Sequence, residues 1–177
     1  FTSNMSTAWP AWEIMRGEIE KSPQSIPGAK ITMVENGELR KTLKVERAFG
    51  AGNSTIVQYI SLNEGGQADR VDVYNEVDWK ETNSLLKVEF PMSYSNAKAT
   101  YDLGIGAIER GNNTDQAYEV ISQQWTDLTA ADGSYGMSVL NDGKYGWDKP
   151  NDNTIRLTLL HTPGTKGNYA YQSKQDQ

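Results

Sequence analysis

Val77-Asp78-Trp79-Lys80-Glu81, running on through Leu85-Leu86-Lys87-Val88-Glu89-Phe90-Pro91, is the stretch that decides the fold. Read back to Asp69, it alternates: Val71, Val73, Val77 and Trp79 share one parity, while Arg70, Asp72, Tyr74, Glu76 and Asp78 share the other. A period of two marks a strand with one buried face. Leu86, Val88 and Phe90 resume the pattern after a polar turn, Lys80 to Ser84. The spacing predicts two long strands joined by that turn into an antiparallel pair, with all seven apolar residues pointing inward. Such a pair needs a second apolar layer, and so predicts a β-sandwich.

Working outward, turn chemistry divides the chain into strands. Lys30 to Glu35 meets Asn36-Gly37, a pair suited to a type I′ turn with positive φ at both residues. Leu39 to Phe49 is the return strand, Gly50-Ala51-Gly52-Asn53 the next turn, and Ser54 to Leu62 the next strand, with Gly65-Gly66 closing it. Further on, Ala99, Tyr101, Leu103 and Ile105 share a face, with Gly104 and Gly106 suggesting a bulge or close backbone approach. Tyr118 to Gln124 predicts a short strand ending at Trp125. Asp132-Gly133 turns the chain into Tyr135, Met137 and Val139, and Thr154 to Leu160 is the last strand. About nine or ten strands and no helix of ordinary length make this an all-β, antiparallel fold in one domain, residues 1–177. Phe1 to Pro27, with Pro10, Pro23 and Pro27, reads as an irregular N-terminal arm pinned by Trp9 and Trp12, and Gly164 to Gln177 as a polar tail.

Composition narrows the function. The net charge of -6 opposes nucleic-acid binding, which needs a clustered basic surface. No apolar run is long enough to span a membrane. There is no cysteine, which excludes disulfides and thiolate zinc sites, and one histidine, His161. A Ser-His-Asp arrangement would have to use His161, which ends an apolar strand, where a structural role is the commoner one. Phe1 in place of Met, with no leader pattern after it, suggests a mature product or a piece cut from something longer. Nothing in the chain fixes a compartment. The sequons at Asn4, Asn53 and Asn112 are weak evidence of secretion.

Asp78, Glu89, Asp102, Glu109, Asp127 and Asp142 fall near strand ends or loops. Glycoside hydrolysis needs two carboxylates about 5–10 Å apart, but an acidic residue on a strand is usually just a solvated face. The loop Leu140-Asn141-Asp142-Gly143-Lys144-Tyr145-Gly146-Trp147-Asp148 is richer, combining turn-formers, a cation, carboxylates and two aromatics. Aromatic faces stack on sugar rings, and amides and carboxylates fix hydroxyls. Residue types alone favour a wide turn with aromatics on its rim.

Seven blocks, in order, resemble the β-sandwich region that follows the catalytic domain in α-mannosidases of glycoside hydrolase family 38. They are Ala11-Trp12-Glu13-Ile14, Val77-Asp78-Trp79, Leu85 to Pro91, Ala99-Thr100-Tyr101-Asp102 leading to Ile108-Glu109-Arg110, Gln124-Trp125-Thr126-Asp127-Leu128, Leu140 to Gly146, and Ile155-Arg156-Leu157. The resemblance implies a parent that is a large, retaining, metal-dependent exoglycosidase acting on α-mannose. Its zinc or other divalent metal and its nucleophile lie in an N-terminal barrel, so no catalytic or metal residue carries over to this chain, and no cofactor is expected in it. The chain is then expected to be a non-catalytic domain with two partners, the catalytic domain of the same polypeptide and a mannose-containing glycan, and with neither nucleic acid nor membrane as a partner. Asn141, Asp142, Lys144, Tyr145 and Trp147 are its candidates for the sugar approach or the domain interface. The alternatives are a stand-alone carbohydrate-binding module and, opposed by the single histidine and the lack of a metal motif, a small glycosidase or epimerase. The chain also stops where the family usually runs into another strand, leaving an edge strand missing or exposed.

Overall fold

The computed structural model describes residues 11, 13–65 and 70–163. Trp9, Trp12, the Asn4 sequon, Gly66 and the tail from Gly164 lie outside them. Their regular structure is nearly all strand, with one four-residue helix, α1 (Arg16–Ile19). They divide into two compact units, one of 24–65 and 70–82, the other of 11, 13–23 and 83–163.

The first unit is a four-stranded antiparallel meander of β1 (Lys30–Asn36), β2 (Arg40–Phe49), β3 (Ser54–Asn63) and β4 (Val71–Asp78), in spatial order β1-β2-β3-β4. Register places Met33, Leu43, Ile60 and Val73 in one row across it, with Ile31 opposite Val45, Leu62 opposite Val71 and Ile56 opposite Val77. One face is therefore largely apolar, as the alternation predicts, and is interrupted by Arg47, Gln58 and Asn75, which hydrogen-bond to one another across it. Its burial is graded. At one end Phe49, Ile56 and Trp79 are buried, the Phe49 and Trp79 rings 6.0 Å apart.

The second unit contains two further antiparallel sheets, which share one core. One holds β10 (Gly136–Leu140), β9 (Trp125–Thr129), β6 (Ala99–Asp102) and β7 (Ala107–Arg110) in that order. The other holds β5 (Ser84–Pro91), β12 (Thr154–Thr162), β11 (Gly146–Asn151) and β8 (Val120–Ile121). Tyr101 and Leu128 from the first meet Trp147, Ile155 and Leu157 from the second, with Val88 and Phe90 packed against them. Burying Trp147 and Tyr101 contributes roughly 4–6 kcal/mol each of transfer free energy, before the entropy of ordering them. The all-β antiparallel sandwich predicted from the sequence is the observed fold class.

Several details differ from the sequence expectation. β4 and β5 do not pair with each other: β4 pairs with β3, and β5 with β12. Glu81 is the local cause. Its buried carboxylate accepts hydrogen bonds from the Ala51 and Gly52 amides at 3.1 and 3.0 Å and ties the segment after β4 to the β2–β3 turn. Asn83 then adopts φ 51°, and the chain leaves for another sheet. Val71 and Val73 share the Trp79 face but are 54% and 48% exposed, because none of the unit's described elements covers that end of the sheet. The Asn36-Gly37 hairpin forms, but neither residue has positive φ. Gly37 donates to the Arg40 carbonyl at 2.9 Å, making Glu38 and Leu39 the central pair. Leu103 and Ile105 are exposed and belong to the β6–β7 turn, where Gly104 and Gly106 supply φ of 77° and 90°. Trp125 opens β9 and does not end β8.

Candidate functional site

The loop after β10 is built as its residue types dictate. The Asn141 amide donates to the Gln124 carbonyl at 2.9 Å, and its side-chain Oδ1 accepts from the Lys144 amide at 2.6 Å. That side-chain mimic of a backbone turn is what places asparagine at turn starts. Gly143, at φ 80°, takes the left-handed position that a Cβ disfavours. The Tyr145 carbonyl accepts from the Ser122 amide at 3.0 Å, and β11 begins at Gly146. Asp142 is exposed and Lys144 half-buried, while Tyr145 is 52% exposed. Trp147 is 0% exposed and sits in the core, so it can serve the loop only by anchoring its base.

Beneath the loop lies a charge cluster that sequence reading missed. Asp148, also buried, accepts from Lys87 Nζ at 2.9 Å, from Asn113 Nδ2 at 2.9 Å and from the Arg156 guanidinium, whose Nε lies 2.9 Å from Oδ2. Lys87 also donates to Glu119 Oε2 at 2.6 Å and to Thr158 Oγ1 at 2.7 Å. Two cations and two carboxylates neutralise one another in low dielectric, where a charge survives only if paired. Next in sequence, buried Lys149 places Nζ 2.6 to 2.7 Å from the Asn96 carbonyl, the Asn151 carbonyl and Asn112 Oδ1. Burial pushes this amine's pKa down, and the Asp152 charge partly offsets it. The arrangement locks loops in place, and the Asn112 sequon amide is committed to it.

The other carboxylates singled out serve structure or the surface. Asp102 accepts from the Gly104 and Gln124 amides, and Asp127 from the Thr129 and Ser138 hydroxyls. Glu109 pairs with Lys98, Asp78 with Lys80 and Glu89 with Arg156. His161 is half-buried opposite Leu85, and its Nε2 has no hydrogen-bond partner among the described residues. Burial, with the nearby Lys87 charge, holds it below the ordinary imidazole range. No group of three His, Cys, Asp or Glu side chains among the described residues could hold a metal ion.

The first unit offers a different kind of surface. At the open end of its apolar face, Ile31, Met33, Leu62, Val71 and Val73 are all exposed. A contiguous apolar patch of this kind, unlike scattered single residues, marks a surface that meets another surface.

Comparison with known proteins agrees with the resemblance read from the sequence. The family model described as "Glycosyl hydrolases family 38 C-terminal domain" matches residues 2–167. Alpha-mannosidase G of Dictyostelium discoideum is 32% identical over 163 residues, which are 88% of this chain and 14% of that protein. Alpha-mannosidase 2C1 of Mus musculus is 32% identical over 161 residues, 88% of this chain and 15% of that protein. The chain thus spans about one seventh of the length of these relatives. A crystal structure of a protein in the glycosyl hydrolase family 38 from Enterococcus faecalis superposes with a TM-score of 0.68 at 14% identity, over 82% of this chain and 20% of that one. At that identity the likeness is one of fold.

Proposed function

This chain belongs to the family of glycosyl hydrolases family 38 C-terminal domains, and on that basis we propose that it is a non-catalytic domain of an α-mannosidase. On this reading it supports the catalytic domain of the same polypeptide and shapes the approach of a mannose-containing glycan to the sugar site. Both units work as one domain, since the family match runs through both. The parent is a retaining, metal-dependent enzyme, and its zinc or other divalent ion resides in the catalytic domain. The described residues of this chain offer no donor set for such an ion.

The observation that carries this reading is the exposed apolar end of the β1–β4 sheet. Contact with the remaining six-sevenths of a parent the size of its relatives would cover it. The occupant we assign is the catalytic part of the same polypeptide. The 141–147 loop, with Asn141 and Gly143 setting the turn, Asp142 exposed on it and Lys144 and Tyr145 projecting from it, is assigned to the sugar approach or to the same interface.

Val73→Glu tests the docking. In the isolated chain the exposed position should tolerate the charge within about 0.5 kcal/mol. In the full-length polypeptide the carboxylate would be desolvated against an apolar surface, and both melting temperature and turnover should fall. Unchanged turnover and melting in the full-length variant would remove this face from the interface.

A further inference from the structure

The opposite face of the β1–β4 sheet carries a groove of about 560 Å³, lined by Val34, Glu35, Arg40, Thr42, Tyr59, Ser61 and Tyr74. The volume is in the range of small-ligand clefts, about 300–1,000 Å³. Tyr59 and Tyr74 are directly opposed across β3 and β4, with centroids 6.2 Å apart and ring planes inclined at 42°. Tyr74 is 63% exposed. The groove floor is polar: Thr42 Oγ1 donates to Glu35 Oε2 at 2.9 Å and lies 2.9 Å from Ser61 Oγ.

Glu35 reaches this face through an irregularity in β1. Met33 pairs with Leu43, but Glu35 pairs with Thr42, so a bulge falls between them. Strict alternation would put Glu35 beside Met33 on the apolar face, and the bulge moves it to the other. Bulges re-aim side chains in this way, and concentrate beside functional sites. There Glu35 Oε2 accepts from Arg40 Nε at 2.6 Å. The Arg40 and Thr42 bonds hold the Glu35 carboxyl below its ordinary range. Arg40 makes no other side-chain hydrogen bond among the described residues, although the Asp72 carboxylate also acts on its charge, so its terminal nitrogens are available donors beside an ionised acceptor.

We propose that this groove is a glycan-binding subsite, taking a mannopyranose residue remote from the bond being cleaved. A pyranose offers a face of C–H groups, which stack on an aromatic ring, and vicinal hydroxyls, which donate and accept together. The tyrosine pair supplies the first requirement. The Arg40–Glu35 pair supplies adjacent donor and acceptor for the second, and its charges cancel, which suits a neutral ligand over an anionic or cationic one. The identity of the sugar rests on the α-mannosidase reading above. Tethering one arm of a branched glycan would raise the local concentration of another at a catalytic site.

The test uses the full chain and a linear manno-oligosaccharide, followed by amide chemical-shift titration. Saturable shifts are expected at Glu35, Arg40, Tyr59 and Tyr74. Tyr74→Ala should weaken binding about tenfold, the loss of one aromatic contact, and should lower the melting temperature only slightly, through the lost Tyr59 contact, because the ring is largely exposed. Glu35→Gln keeps the shape and should weaken it less. Absence of saturable shifts overturns the subsite, as do shifts that persist unchanged in Tyr74→Ala. Equal binding of a gluco-oligosaccharide overturns the mannose assignment. None of these outcomes involves Val73 or full-length turnover, so the subsite can fail while the docking role stands.

Discussion

Glu81 accepts a hydrogen bond from Ser54 Oγ at 2.8 Å, and Ser54 Oγ in turn accepts one from the Lys80 amide at 2.9 Å. The two residues lie 27 apart in sequence, and both are buried. This link holds the β2–β3 turn against the segment that follows β4.

Glu81→Ala strands the Ala51 and Gly52 amides and the Ser54 hydroxyl at once. Each buried group left without a partner costs about 1–3 kcal/mol. With water reaching the exposed Ala51, the variant should lose about 2–4 kcal/mol in chemical denaturation. Gly52→Ala should also destabilise, since a Cβ there would meet the Lys80 carbonyl oxygen at 2.3 Å. A Glu81→Ala midpoint equal to that of the parent chain would refute the linkage.

Position along one sheet face should separate two residues of the same parity. Trp79 is 7% exposed, and Trp79→Ala should cost about 3–5 kcal/mol. Val73→Ala on the open end should cost within about 0.5 kcal/mol in the isolated chain. Equal losses would mean that the graded burial of this face is wrong.

His161 predicts a pH dependence. Its folded pKa is lowered, so the unfolded chain takes up the proton first as pH falls. Stability from this residue is complete above the ordinary imidazole value of about 6.5 and declines below it, until the lowered folded value is passed. Measured from about pH 7.5 to about pH 5, the stability of the wild type relative to His161→Gln should fall. A difference independent of pH would contradict the buried, neutral imidazole.

Lys144→Ala and Tyr145→Ala should leave the melting of the isolated chain nearly unchanged, because Tyr145 is exposed and the turn is set by Asn141 and Gly143. In the full-length enzyme the same changes should lower turnover or domain association. Kinetics unaltered in a fully folded parent would leave the loop with no functional part.

Much of this was legible in the sequence. Period-two alternation located β3, β4 and β5, because side chains on a pleated strand must alternate, and the Asn36-Gly37 turn located β2 as a return strand. Asn141 and Gly143 announced their turn through local side-chain and backbone chemistry. Strand partners were less legible. Val71 to Phe90 reads as a hairpin until the Glu81 carboxylate is seen bonded to a turn some thirty residues back. The bulge that moves Glu35 leaves no mark in the alternation of one strand, since it exists only in register with β2. The Lys87, Glu119, Asp148 and Arg156 cluster assembles from separate segments, each with its charge in an otherwise ordinary context. Val71 and Val73 looked like core because an apolar face reads the same whether its cover lies in this chain or elsewhere.

The central claim is that the open end of the β1–β4 apolar face docks on the catalytic part of the same polypeptide. The chain has no cysteine, so Val73→Cys introduces a single thiol into it. Its alkylation rate, read at that peptide by mass spectrometry, should be fast in the isolated chain and many-fold slower in the folded full-length enzyme. Equal rates in the two would contradict the claim.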